Sequence, residues 1–301
     1  MIFHTTFYSS RDEGDTWSDG VMLNPADPIH VVRCGSLFVR SNGAVVAPVM
    51  SWMNNPPPPI PKDREAFERP YEYAFPSSYA MISSDEGRTW RRSVHTLVTC
   101  VPGGWQAARC GFFPFEEPTA IELADGRLMM IGRTNVGVPY RSFSEDGGMR
   151  WTMPVPMRVA SSYSPLHVKR VPSTGDLVLI WNQASVWEMQ HGLRRQRLST
   201  AISKDEGDSW GHFRNLESLD DVAYVEPPPV HDAVDCEDRF WQPTDDKRYH
   251  RAPGSLRCAY PTAIFAQDHF IATYDYGCRQ DTVGRCLLKV RSLPVEWLYE
   301  G

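Results

Sequence analysis

The sequence contains no Cys-x-x-Cys pair, no His-x-x-x-His or His-Glu-x-x-His pattern, no Gly-rich phosphate loop and no Gly-x-Ser-x-Gly elbow. Catalytic metal, nucleotide-phosphate and serine-hydrolase chemistry are therefore left without a motif, and no cofactor is expected. No run of 18 apolar residues occurs, and Met1 leads into Ile-Phe-His-Thr-Thr without a basic or apolar leader. Neither membrane insertion nor export is expected on that basis. Basic blocks are lacking apart from Arg194-Arg195-Gln196-Arg197, and 31 Lys and Arg face 37 Asp and Glu for a formal charge of −6. A nucleic-acid partner has no compositional support. Seven cysteines are an odd number, so reduced thiols and a cytoplasmic setting are expected, with secretion as the alternative if a leader had been removed.

What the chain does have excludes disorder: 42% of its 301 residues are hydrophobic and 12% aromatic. It also repeats itself. Ser10-Arg11-Asp12-Glu13-Gly14-Asp15-Thr16-Trp17 recurs as Ser83-Ser84-Asp85-Glu86-Gly87-Arg88-Thr89-Trp90 and as Ser203-Lys204-Asp205-Glu206-Gly207-Asp208-Ser209-Trp210, with a looser copy from Ser144 to Trp151. The chemistry is that of a turn: Asp accepts backbone N–H groups, Gly takes a positive φ and Trp packs beneath the next strand. These acids are read as turn formers, with no catalytic role.

The four Asp positions lie 73, 61 and 59 residues apart, room for four short strands and their loops. Between them, β-rich runs meet at Asn42-Gly43, Asp125-Gly126 and Ser173-Thr174-Gly175, each the tip of an expected inner hairpin. A last repeat, Tyr260–Ala266, Phe270–Tyr276 and Cys286–Leu293, lacks the Asp-Gly turn, and the chain starts mid-blade. The expectation is an all-β propeller of four-stranded antiparallel blades, five or six in number. It would be a single domain over 1–301, with long surface loops at 54–72 and 217–257.

The repeated turn, together with the stretch Glu117-Pro118-Thr119-Ala120-Ile121-Glu122-Leu123-Ala124-Asp125-Gly126-Arg127 running on to Arg133, resembles the sialidase superfamily. The stretch from Glu117 to Arg133 adds a second resemblance, to bacterial exo-sialidase-like proteins with Asp-box repeats. The resemblance implies an exo-acting glycoside hydrolase, a retaining sialidase that removes terminal α-linked sialic acid or a related acidic sugar from glycans. Such a substrate carries a carboxylate at the anomeric carbon, which arginine forks bind bidentately and which repels a carboxylate nucleophile, so a Tyr activated by Glu takes that part.

Carried onto this chain, the resemblance makes Tyr260 the nucleophile, with Tyr224 as a fallback, and Glu117 its activating base, with Glu116 adjacent. Asp63 is the proton donor on a Pro-rich loop. Arg33, Arg133 and Arg195 bind the substrate carboxylate, Arg194 and Arg197 competing with Arg195, and Asp275 stands where the family has Glu after the nucleophile strand. The other function class is a non-catalytic propeller that binds a glycan or a protein, for which Trp52, Trp105, Trp187 and Trp241 offer stacking faces. His231-Asp232 is the one histidine pair in a long loop.

Overall fold

The computed structural model describes residues 5–23, 31–34, 36–54, 74–100, 112–190, 193–219, 222–230, 256–278 and 287–300. Strands β1 (Thr6–Phe7) and β2 (Val21–Met22) pair as a two-stranded antiparallel sheet. Next come β3 (Val31–Cys34), β4 (Phe38–Val39), β5 (Val45–Asn54), β6 (Ala74–Ser83) and β7 (Arg91–Arg92), in the order β3-β5-β6-β7 with β4 also on β5. A short ribbon, β8 (Thr99–Cys100) and β9 (Phe112–Phe113), precedes a meander of β10 (Glu116–Glu122), β11 (Leu128–Arg133), β12 (Tyr140–Ser144) and β13 (Val155–Pro156). A second meander joins β14 (His167–Arg170), β15 (Leu177–Trp181), β16 (Arg197–Ser203) and β17 (Gly211–Ser218), with the short helix α1 (Val186–Gln190) between β15 and β16. A three-stranded sheet of β18 (Leu256–Ala266), β19 (His269–Cys278) and β20 (Leu287–Pro294) runs into a 3-10 helix, Val295–Tyr299. Four antiparallel meanders of this kind are the blades of a β-propeller, and the two-stranded sheet is the half blade expected at the start.

The chain divides into two compact units, one of Met1–Thr99, Pro114–Met130 and Ser142–Pro154, the other of Cys100–Phe113, Ile131–Arg141 and Val155–Gly301. The first packs Ala47, Val49, Tyr79 and Met81 with Leu23, and Phe7 meets Trp90 edge-on at 5.2 Å. The second packs Val178, Ile180, Leu198 and Ile202 against Phe270, Ala272, Tyr274 and Leu298, so the last two meanders share one core. All five residues of β15 are buried, which is why its Leu-Val-Leu-Ile-Trp shows no alternation.

The expected hairpin tips form. Leu123 N–H donates to Arg127 C=O at 2.8 Å around Gly126, and Val171 N–H to Asp176 C=O at 2.8 Å around Gly175; both glycines lie at φ above +80°. The repeated Ser-x-Asp-x-Gly turn has one geometry throughout. In the copies of Ser10, Ser83, Ser144 and Ser203 the Ser hydroxyl donates to the Asp carboxylate at 2.7 to 3.0 Å and accepts the N–H of the Gly at 2.8 to 2.9 Å. The Asp then accepts the N–H four residues on, from Thr16, Thr89, Arg150 or Ser209. Bonds from the Thr hydroxyl, followed by those from the backbone, hold Asp12 and Asp85 down at a pKa of about 2. Trp17, Trp90 and Trp151 each donate their indole N–H to the clasp glycine's carbonyl at 2.8 to 2.9 Å. Backbone conformation is less comfortable: Glu13, Glu86 and Glu206 sit at φ near +60°, where the looser copy places Gly147.

Ser203 is buried, and its loss would leave the Gly207 N–H without an acceptor. Ser203→Ala is expected to lower unfolding free energy by roughly 1–3 kcal/mol in urea titration, and a change within about 0.3 kcal/mol would contradict the clasp's role. A second expectation concerns pH. Burial, reinforced by Lys169, pulls the buried His167 imidazole from 6.5 to about 4, so the folded state stays neutral where the unfolded chain takes up a proton. Its contribution is full above pH 6.5 and is lost as pH falls toward 4, by up to roughly 3 kcal/mol. Stability of His167→Gln should accordingly fall less than the parent's between pH 7 and pH 5; parallel declines would contradict the assignment.

Candidate active site

Strand β18 is interrupted where the sequence places its candidate nucleophile. Its register with β19 shifts between Ala259 and Thr262, leaving Tyr260 and Pro261 outside the ladder. Proline has no N–H to give a ladder, so a bulge here follows from the Tyr-Pro dipeptide. Tyr260 takes φ +55° and remains 39% exposed, although it lies in a strand whose neighbours Cys258 and Ala259 are fully buried. A non-glycine residue held in the left-handed region costs on the order of 1 kcal/mol, a strain that collects at functional positions.

Across from it, the Arg195 guanidinium carbon lies 5.2 Å from the centroid of the Tyr260 ring, within range of cation–π attraction. The carbonyl of Arg195 accepts the N–H of Cys258 at 2.9 Å and its thiol at 3.2 Å, which ties the segment before β16 to β18. The other basic residues of the cluster are differently engaged. Arg197 donates to Glu188 of α1 at 2.6 Å, and burial draws the Arg194 guanidinium below its usual pKa.

Arg133, the last residue of β11, is buried, with its guanidinium carbon 4.3 Å from the centroid of the Tyr163 ring. Asp275 stands opposite Ala259 in the β18–β19 ladder and pairs with Arg257 at 3.7 Å. Tyr224, exposed on the 222–230 segment, donates its hydroxyl to Glu226 two residues on at 2.7 Å. Sequence reasoning missed Tyr163 and Arg257. The only signal for Tyr163 is an aromatic set between small polar residues in Ser161-Ser162-Tyr163-Ser164.

In the first unit, Glu117 has φ +41° and is 8% exposed, and its N–H approaches Met50 Sδ at 3.4 Å. The backbone of Arg33 stands opposite that same Met50 in the β3–β5 ladder, so both candidates meet one residue of β5. Glu116 is buried beside Glu117. Asp63, Trp105, Trp241 and the His231-Asp232 pair lie outside the described residues. The structure thus brings Arg195 to Tyr260, Arg257 to Asp275, and both Glu117 and the backbone of Arg33 to Met50 of β5. Among the described residues no group of three or more His, Cys, Asp or Glu side chains could hold a metal ion.

The family model described as "BNR repeat-like domain" matches residues 2–272, and the chain belongs to that family. No curated protein matches. Among solved structures, the intramolecular trans-sialidase of Ruminococcus gnavus, in complex with oseltamivir carboxylate, is 15% identical with a TM-score of 0.57, over 99% of this chain and 52% of that one. A mutant of the NanB sialidase of Streptococcus pneumoniae is 12% identical with a TM-score of 0.56, over 98% and 36%. The Trypanosoma rangeli sialidase, in complex with 2,3-difluorosialic acid as a covalent intermediate, is 14% identical with a TM-score of 0.54, over 98% and 39%. The chain therefore has the sialidase fold and spans about half, or less, of the length of these relatives.

If the bulge holds Tyr260 in strain, Tyr260→Asn should cost no stability, because Asn tolerates the left-handed region and the phenol is substantially exposed. Equal or higher urea midpoints are expected; a loss above about 1 kcal/mol would show that packing of the ring outweighs its backbone strain.

Proposed function

We propose that the chain is an exo-acting glycoside hydrolase that cleaves terminal α-linked sialic acid, or a related carboxylate-bearing sugar, with retention of configuration. The observation that carries this reading is the Arg195 guanidinium over a partly exposed, backbone-strained Tyr260. Fixed positive charge there serves two demands at once: it attracts the carboxylate of the substrate, and it favours the negative charge on a phenol oxygen about to attack.

In this mechanism Tyr260 attacks the anomeric carbon, and the resemblance assigns Glu117 the part of the base that takes its proton. The bond to the leaving oxygen breaks as Asp63 protonates it; water, giving a proton to the Asp63 carboxylate, then cleaves the glycosyl–tyrosine bond, and Glu117 returns its proton to Tyr260. Arg195 and Arg133 hold the carboxylate through both steps, and the resemblance gives Arg33 the same part. The fold shared with three sialidases supports the substrate class, as does Glu117, a buried carboxyl in a strained backbone. An anionic sugar presented on a glycan is the corresponding partner.

Release of a fluorogenic alcohol from an α-sialoside tests the reading. Tyr260→Phe and Arg133→Ala are each expected to lower kcat/KM by about a hundredfold or more while the chain stays folded, the scale of losing a nucleophile or a transition-state charge contact. Unchanged turnover in both variants would overturn it. Saturable binding of the sialoside without turnover by the parent would favour the non-catalytic propeller instead.

A further inference from the structure

We infer that Asn182 is the positioning residue of this site, a single buried amide that sets Arg195, Tyr260 and Arg133 in place together. Its consequence for catalysis rests on the function proposed above; its geometry does not. Asn182 follows β15 and is 0% exposed. Its Nδ2 donates to the carbonyls of Arg197 and Cys258, both at 2.8 Å, and its Oδ1 accepts the Ser164 hydroxyl at 2.6 Å. Its own backbone carbonyl accepts the Ser162 N–H at 3.1 Å.

Each of these partners is next to, or two residues from, a side chain of the candidate site. Arg197 follows Arg195 by two residues, and Cys258 precedes Tyr260 by two. Ser162 and Ser164 flank Tyr163, whose ring lies against Arg133. The loop is closed by the Cys258 N–H, which donates to the Arg195 carbonyl at 2.9 Å. One amide therefore joins β15, the entry to β16, β18 and the 162–164 segment.

The orientation of the amide is fixed by its partners. Turned over, Oδ1 would face two carbonyl oxygens and Nδ2 would face a hydroxyl able to adapt, so only one arrangement satisfies both N–H groups. An asparagine that merely filled its own blade would need bonds to β14 or β16 alone. Asn182 instead spends one donor on the neighbouring sheet, through Cys258, and its acceptor on the segment that backs Arg133. With no exposure to water, losing the amide leaves two carbonyls and a hydroxyl to find new partners, and the segments that carry the site must shift to supply them.

The test uses Asn182→Ala and, as a milder change that removes one hydroxyl, Ser164→Ala, each first shown to fold by its thermal melt. In a crystal structure of Asn182→Ala, or of Ser164→Ala should the first fail to fold, the Arg195–Tyr260 and Arg133–Tyr163 contacts are expected to open. Retention of both at 5.2 Å and 4.3 Å overturns the inference whether or not the chain hydrolyses anything. On an α-sialoside, Asn182→Ala is expected to lower kcat/KM about a hundredfold and Ser164→Ala about tenfold or less, the scale of an ångström's misplacement. In an Arg195→Ala background the same Asn182→Ala change should cost less than about threefold, because residues that act as one unit are not additive. Multiplicative losses would mark Asn182 as structural only and overturn the inference. A parent with no turnover would count against the proposed function, leaving the two ring contacts to decide the role of Asn182.

Discussion

The structure depends on how a strand meander ends: every chain reversal must satisfy the backbone groups it strips from a ladder, and this protein does so with side chains placed at fixed offsets. At one kind of strand end, Ser and Asp of the repeated clasp accept the N–H groups of the turn, and a tryptophan caps the glycine carbonyl. At another, Asn182 does the same work between segments far apart in sequence. An unpaired buried amide or carbonyl costs about as much as a hydrogen bond contributes, so these few residues fix backbone that packing alone would leave free. The site is assembled on the second kind of end.

That division explains which parts of the molecule were legible in the sequence. The clasp is local. All its donors and acceptors fall within eight residues, so Ser10–Trp17 and its copies declare the turn, its spacing declares blades, and Gly126 and Gly175 mark the hairpins between. Tyr260 is a case where the sequence misled: the run read as starting at Tyr260 begins at Leu256, and Tyr260 sits at a break within it. The candidate residues were chosen from what the proposed substrate demands: a carboxylate asks for arginines, and it disfavours a carboxylate nucleophile.

Contacts across the chain were not readable. Nothing in Leu177–Asn182 says that its last residue reaches Cys258, 76 positions on, and nothing in Ser161–Ser164 says that its tyrosine backs Arg133. Arg195 could not be separated from Arg194 and Arg197 by composition. The Glu188 carboxylate on Arg197, the burial of Arg194 and the Tyr260 ring beside Arg195 distinguish them. Asp275 is a further case: its place closing the last hairpin was apparent, while its partner Arg257 depends on the register of β18 against β19. Such long-range choices are set by packing and register, to which single-sequence patterns are blind.

Strain and order meet at one point. Tyr260 is held in an unfavourable backbone conformation, partly exposed and with a guanidinium beside its ring, and Cys258, two residues earlier, is bonded to both Arg195 and Asn182. The most direct measurement of the central claim is peptide-resolved mass spectrometry after incubation with 2,3-difluorosialic acid, the reagent seen as a covalent intermediate in the trypanosomal sialidase. The account predicts one glycosyl adduct, carried by the peptide that contains Tyr260; absence of any adduct, or an adduct on another residue such as Tyr224, would contradict it.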